Sequence, residues 1–165
     1  MNDVFLGMGS NKDDRLIYLK EALKHLSSDK NCELHQISSL YVTKPFGIKE
    51  QENYFNIAVR LSSSYDCVAC LRRLKEIEIL VGRTESFRWG PREIDIDLLF
   101  FNDLVYKSDE LNIPHEGIIN RDFVIVPLLE IEPELFHHGL KIFLKNIELS
   151  KLDNHIIEKQ KFDFF

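Results

Sequence analysis

Hydrophobic and polar positions repeat with two different periods along this chain. Leu16, Leu19, Leu23 and Leu26 recur at helical spacing with Lys20, Glu21 and Lys24 on the other side, so Lys12 to Ser28 reads as a helix. A second stripe, Cys67, Cys70, Leu71, Leu74, Ile77 and Val81, lies between a good N-cap, Asp66, and a good stop, Gly82. Between the two helices the period falls to two. Phe55, Ile57, Val59 and Leu61 take one face of a strand, and Tyr54, Asn56, Ala58 and Arg60 take the other. Asp3 to Met8 reads as a strand that ends in a glycine turn, Gly7-Met8-Gly9-Ser10-Asn11, with Ser10 or Asn11 capping the first helix. Cys32 to Lys44 is extended and stops at Pro45. Thr43 to Asn53 then forms a loop of about ten residues, long for a compact domain and of a kind that often carries function.

Beyond the second helix a loop, Arg83 to Arg92, leads into an apolar, β-branched strand from Ile94. Asn102-Asp103 suits a hairpin turn, with Leu104 to Tyr106 returning. Val124 to Glu134 predicts a short helix begun by Pro127. His137-His138-Gly139 is a turn, and Leu140 to Ile147 predicts a last amphipathic helix. Lys151 to Phe165 is charged and reads as a loosely attached tail, unless Phe162, Phe164 and Phe165 dock. The order strand-helix-strand-strand-helix-strand is the split βαβ pattern. A length of 165 residues predicts one domain, 1–165.

The chemistry concentrates from Arg88 to Phe101. On a strand, Asp95 and Asp97 project from one face with Leu99 and Phe101, roughly 7 Å apart by the strand rise, while Ile94, Ile96, Leu98 and Phe100 project from the other. Two carboxylates so close repel, and burying them unpaired costs several kcal/mol or so each. Arg92 or a divalent metal would neutralise them; the plain alternative is a solvated strand face. Arg83, Arg88 and Arg92, with Trp89 among them, form either a phosphate clamp or an ion-pair network with Glu85 and the aspartates. Tyr54 and Asn56 start one strand face together, which suits a planar heterocycle or nothing more than solvent. His115 and Arg121 are possible further phosphate donors. Cys67-x-x-Cys70 is half a metal site without a second pair, so packing is the better reading.

Composition narrows the classes. Hydrophobic residues make up 44% and charged residues 29%, ordinary for a globular protein, and the net charge is −6. That charge argues against a general polyanion binder, so any phosphate site is a local basic cluster and no nucleic-acid partner is expected. No basic leader or bilayer-length apolar run is apparent, and no membrane partner is expected. Three cysteines, Cys32, Cys67 and Cys70, suit a reducing cytoplasm rather than a disulfide framework.

Trp89-Gly90-Pro91-Arg92-Glu93-Ile94-Asp95-Ile96-Asp97-Leu98-Leu99 resembles the signature of the 6-hydroxymethyl-7,8-dihydropterin pyrophosphokinases of folate biosynthesis. Leu6-Gly7-Met8-Gly9-Ser10-Asn11, Ser38 to Thr43 with Lys44-Pro45-Phe46-Gly47, Tyr54-Phe55-Asn56, Ile113-Pro114-His115 and Arg121-Asp122-Phe123-Val124 extend the similarity from Val4 to Phe136. The resemblance implies an α+β, ferredoxin-like sandwich with a largely antiparallel sheet and helices packed on it. It implies transfer of the pyrophosphoryl group of ATP to 6-hydroxymethyl-7,8-dihydropterin; a cytoplasmic monomer is expected for the chain. Asp95 and Asp97 would hold two Mg²⁺ ions, and Arg83 and Arg92 match catalytic-loop arginines. His115 and Arg121 match phosphate ligands, Leu98 and Asn112 match positions near the adenine, and Lys75 and Glu78 fall on the helix bordering the nucleotide. Tyr54 and Phe123 match the rings that enclose the pterin, with Asn56, Thr43 and the Pro45-Phe46 backbone reading its edge, Asp95 beside it and Trp89 closing over the site. The chain departs from the family pattern at Lys75, at Glu85 and at Glu116.

Fold alone does not fix function, because ferredoxin-like domains also bind RNA or regulate other proteins. An RNA-binding module needs a basic sheet face with exposed aromatics, which the net charge and the Asp pair oppose. A nucleotidyltransferase with an Asp-x-Asp metal site is separable by product, pyrophosphate instead of AMP. A catalytically inactive relative is suggested only by Glu85 and Glu116.

Overall fold

A central strand, β1 (Asn2–Ser10), is held on both sides, by β4 (Tyr54–Ser63) and by β5 (Asp95–Phe101). This is a computed structural model, and it describes residues 1–161, 163 and 164. Two further strands, β2 (Cys32–Ile37) and β3 (Leu40–Thr43), pair with successive stretches of β4. The sheet runs β10-β3-β4-β1-β5 with β2 also on β4, every pairing antiparallel, where β10 is Ile156–Gln160. With α1 (Arg15–Ser28) and α2 (Cys67–Val81) as the connections, this is the expected ferredoxin-like α+β order.

The sheet separates two cores. On one face Leu19, Ala22, Leu23 and Leu26 of α1 and Cys70, Leu74 and Ile77 of α2 pack on Val4, Leu6, Val59, Ile96 and Leu98. Each fully buried leucine contributes about 1.5–3 kcal/mol relative to exposure, which is what holds these helices to the sheet. On the other face α3 (Asp122–Ile131) packs Ile125 and Leu128 against Phe5, Ala58, Leu99 and Phe100. The second helix begins and ends where its caps predict: Asp66 accepts the Ala69 amide at 2.8 Å, and Gly82 takes a left-handed φ of 110°.

Several sequence expectations change. Gly7 and Gly9 lie within β1 rather than in a turn, and α1 is capped by Asp14, not by Ser10 or Asn11; Asp14 Oδ1 accepts the Ile17 amide at 3.2 Å. Asp14 wins because Ser10 and Asn11 are buried and drawn towards the sheet. The Cys32–Lys44 segment breaks at Ser38, whose hydroxyl accepts the Ala58 amide at 2.9 Å. Strict alternation in β5 fails at its end: Leu6 pairs with Leu98 and Phe5 with Phe100, which leaves Leu99 as an extra residue. That bulge puts Leu99 and Phe100 in the α3 core and sends Phe101 to the other one.

Leu104–Tyr106 does not return along β5. The short β6 (Tyr106–Lys107) pairs instead with β7 (Asn112–Ile113). The third helix starts at Asp122, so Pro127 lies inside it. Leu140 to Ile147 is not an α-helix; β8 (Phe136–His137) pairs with β9 (Ile142–Phe143), and 3-10 turns follow at Leu144–Asn146 and Leu149–Lys151. Of the two readings of the last stretch, the loose tail fails and docking holds for Phe164: β10 joins the sheet on β3, and Phe164 is buried in the α1/α2 core. Phe162 and Phe165 lie outside the described residues.

Candidate active site

The period-two pattern of β5 and β4 works through β1 between them. Gly7 lies opposite Asp97 on one side and Ala58 on the other; Gly9 lies opposite Asp95 and Asn56. Those residues share one sheet face, so the two glycines leave bare backbone as the floor of a cavity of about 340 Å³. A side chain at Gly9 would put Cβ 2.6 Å from Asn56 Oδ1. The walls come from Thr43, Lys44 and Phe46 after β3, Tyr54 and Asn56 of β4, and Asp95, Asp97 and Leu99 of β5. Arg88, Trp89 and Arg92 of the arginine loop, His115, Glu116 and Arg121, and Phe123, Val124 and Pro127 of α3 close it.

The two aspartates differ in their electrostatics. Asp95 is clamped by Arg83 Nη1 at 2.9 Å and Arg92 Nη1 at 2.8 Å. Burial pushes its carboxyl up, but the charges of Arg92, Lys75 and Arg83 outweigh burial and hold it below the ordinary carboxylate value. Asp97 has the opposite shift: burial raises it, and the charge of Asp95 raises it further. Among the described residues no cation closes an ion pair with Asp97.

Both loops over the cavity are anchored. Glu93 is buried and pairs with Lys12; it also accepts Thr84 Oγ1 at 2.7 Å and the Thr84 amide at 3.2 Å. Burial opposes ionisation of Glu93, yet these donors hold its pKa at about 2. Gln51 Nε2 donates to the Trp89 carbonyl at 2.6 Å, and Gly47 lies against the Trp89 ring, so the Thr43–Asn53 loop and the arginine loop touch. Trp89 is itself at a φ of 62°, with the Arg88 guanidinium 4.6 Å over its ring. At the start of β4, Asn56 Nδ2 donates to Thr43 Oγ1 at 2.8 Å, and burial raises the Tyr54 hydroxyl. His115 Nδ1 accepts the Gly117 amide at 3.0 Å, which leaves Nε2 as the ring's other hydrogen-bonding atom.

Not every expected residue reaches the cavity. Pro45, Lys75, Glu78, Arg83, Leu98 and Asn112 are absent from its walls. Glu78 is buried, because β5 is the sheet edge and its free groups need partners. Glu78 Oε1 accepts the Ile96 amide at 2.7 Å, Lys75 Nζ donates to the Ile96 carbonyl at 3.2 Å, and Glu78 also pairs with Arg83. The Leu98 side chain is core; by the strand period its backbone faces the same free edge as Ile96. Asn112 Oδ1 is buried without a hydrogen-bond partner. Gly7 and Gly9 were missed as site residues, although glycines two apart in an apolar run mark a place where another group approaches a strand.

A ferredoxin-like sandwich with an acid pair among arginines on one sheet face defines an enzyme of the phosphate-handling class. The sequence profile of 7,8-dihydro-6-hydroxymethylpterin-pyrophosphokinase (HPPK) matches residues 5–133, and the chain belongs to that family. Its activity is pyrophosphoryl transfer in folate biosynthesis. A 2-amino-4-hydroxy-6-hydroxymethyldihydropteridine pyrophosphokinase of Aquifex aeolicus is 39% identical over 154 residues, covering 93% of each chain. The enzyme of the same name from Bacillus subtilis is 36% identical over 132 residues, 79% of each. Wild-type Plasmodium falciparum HPPK-DHPS shares the fold, with a TM-score of 0.70 at 17% identity over 88% of this chain; the match spans 42% of that longer chain.

Proposed function

We propose that this cavity moves the β,γ-pyrophosphoryl group of ATP to the hydroxymethyl oxygen of 6-hydroxymethyl-7,8-dihydropterin. The hydroxyl gives up its proton to solvent as its oxygen bonds to the β-phosphorus, the bond from that phosphorus to the α-phosphate oxygen breaks, and AMP leaves. The observation that carries the reading is the convergence of the Asp95/Asp97 face with Tyr54, Asn56 and Phe123 in one cavity. Phosphate chemistry and a planar acceptor thereby meet at a single point.

In this reading Tyr54 and Phe123 stack on the pterin, Asn56 and Thr43 read its polar edge, and Phe46 and Trp89 cover it. Pro45 contributes by shaping the backbone before Phe46. Arg92, His115 and Arg121 hold phosphate oxygens, and Arg83 joins them when it exchanges Asp95 for ATP. Lys75, Glu78, the Leu98 backbone and Asn112 border the nucleotide along the outer edge of β5, where Lys75 and Glu78 already cover the Ile96 backbone. The unpartnered Asn112 Oδ1 supports an adenine donor there. Asp95 and Asp97 supply hard carboxylate oxygens side by side, and among the described residues no cation closes an ion pair with Asp97, so the pair fits two Mg²⁺ ions brought with ATP. The ions would supply charge neutralisation at the phosphates. The chain's own residues fix the two substrates in line and exclude water. In this reading the protein acts as a cytoplasmic monomer without nucleic-acid or membrane partners.

The test is an anaerobic assay with MgATP and the pterin, following AMP. Pterin-dependent AMP release is expected. Binding of both ligands without AMP would leave a catalytically inactive relative, and binding of neither would end the assignment.

A further inference from the structure

Phe46 and Phe123 line the cavity, but the ring that sets their positions comes from the far end of the chain. The His155 imidazole lies 5.7 Å from the Phe46 ring and 5.3 Å from the Phe123 ring, edge-on to the latter, and the two phenyl rings are 6.2 Å apart. The three rings form a triangle, and His155 is the corner that does not line the cavity.

His155 is fastened on every side. Asp122, in the first turn of α3, accepts the His155 amide at 2.9 Å and the Ile156 amide at 3.1 Å on one oxygen. Its other oxygen lies 3.1 Å from His155 Nδ1. The His155 carbonyl accepts the Lys44 amide at 2.9 Å, two residues before Phe46. The side chains of His155 and Asp122 are 12% and 8% exposed, so these contacts are shielded from water. One residue thus joins the loop that carries Phe46 to the helix that carries Phe123. Without its ring, both phenyl groups would face a void on the side away from the cavity and would be free to turn.

We propose that His155 is a positioning residue for the pterin: acting through Phe46 and Phe123, it holds the aromatic slot at the width of one heterocycle. This rests on the reading that Phe123 stacks on the pterin. Among the described residues Arg92, His115 and the edge of β5 share no hydrogen bond, ion pair or ring contact with His155, and Arg121 reaches this cluster only through the Phe46 ring, 4.7 Å from its guanidinium, so the effect should fall mainly on the pterin.

The experiment uses the full chain with His155→Ala, His155→Phe and Phe123→Ala, measuring KM for each substrate, kcat and melting temperature. His155→Ala is expected to raise the pterin KM about tenfold with the ATP KM within about twofold, as loss of two ring contacts requires. His155→Phe keeps a ring against Phe46 and Phe123 while giving up the Asp122 contact, and it should restore most of the pterin affinity. An unchanged pterin KM in His155→Ala would overturn the proposal. So would equal rises for both substrates with a lowered melting temperature, which mark a general loss of fold, or a failure of His155→Phe to restore affinity. Phe123→Ala separates the two levels: unchanged pterin affinity there refutes the stacking reading itself, whatever His155 does.

Discussion

Asn11 and Arg92 exchange two hydrogen bonds at the root of the arginine loop. The Asn11 amide donates to the Arg92 carbonyl at 3.1 Å, and the Arg92 amide donates to Asn11 Oδ1 at 2.9 Å. Asn11 is 1% exposed, and its Nδ2 reaches Gln51 Oε1 at 3.0 Å. A residue that reads in sequence as a helix cap is therefore the joint between both loops over the cavity.

Asn11→Ala removes the acceptor for the Arg92 amide and releases Gln51. Leaving a shielded donor unpaired costs about 1–3 kcal/mol, which thermal melts would register. Turnover should fall about tenfold, because Arg92 loses its fixed origin. Wild-type turnover in a destabilised variant would mean that the loop is aligned by other contacts.

Asp97→Asn keeps shape and removes charge. Activity is expected to fall at least a hundredfold, about 2.7 kcal/mol of barrier, while the melting temperature holds or rises because repulsion from Asp95 is gone. Retention of a tenth of wild-type turnover would remove Asp97 from the centre of the chemistry.

Gly9→Ala tests the floor of the cavity. The new Cβ, 2.6 Å from Asn56 Oδ1, forces Asn56 away from Thr43. The pterin KM should rise about tenfold or more, and the ATP KM should change little. Equal KM changes for the two substrates would show that Asn56 does not read the pterin edge.

Asp29 predicts an acid limb of stability. Burial raises its carboxyl, but the Asn31 amide at 3.0 Å, Arg73 Nε at 2.7 Å and the Tyr65 hydroxyl together hold it below the ordinary 3.8. A depressed folded pKa means stability that is present above the unfolded value of 3.8 and lost as pH falls below it towards the lower folded value. Asp29→Asn should therefore be less stable than the parent at pH 6, with a narrower gap at pH 3, below the unfolded value of 3.8. Urea titrations at both pH values check this, and a constant gap would exclude the linkage.

Much of the site was legible along the chain because its logic is local. Side chains alternate in any strand, so Asp95 and Asp97 had to share a face, and Tyr54 and Asn56 had to share another. Asp66 and Gly82 cap α2 through contacts within a few residues. The pattern of residues from Trp89 to Leu99 was enough to indicate the family, which the profile match over 5–133 bears out.

What the sequence left open depends on partners distant along the chain. Alternation in β5 ends at Leu99 because Phe5 and Leu6 of β1, not β5 itself, set the register of the bulge. Glu78 is buried because the edge of β5 needs donors and acceptors, a demand that appears only when the sheet is assembled. The charged stretch after Lys151 had too little apolar periodicity to read as a strand; β3 supplies its ladder, and Asp122 fixes its start. Local periodicity and motif determined which residues face the cavity. Tertiary structure alone decided which distant residues hold them in place, because an unpaired strand edge or an exposed ring acquires its partner only when the sheet closes around it.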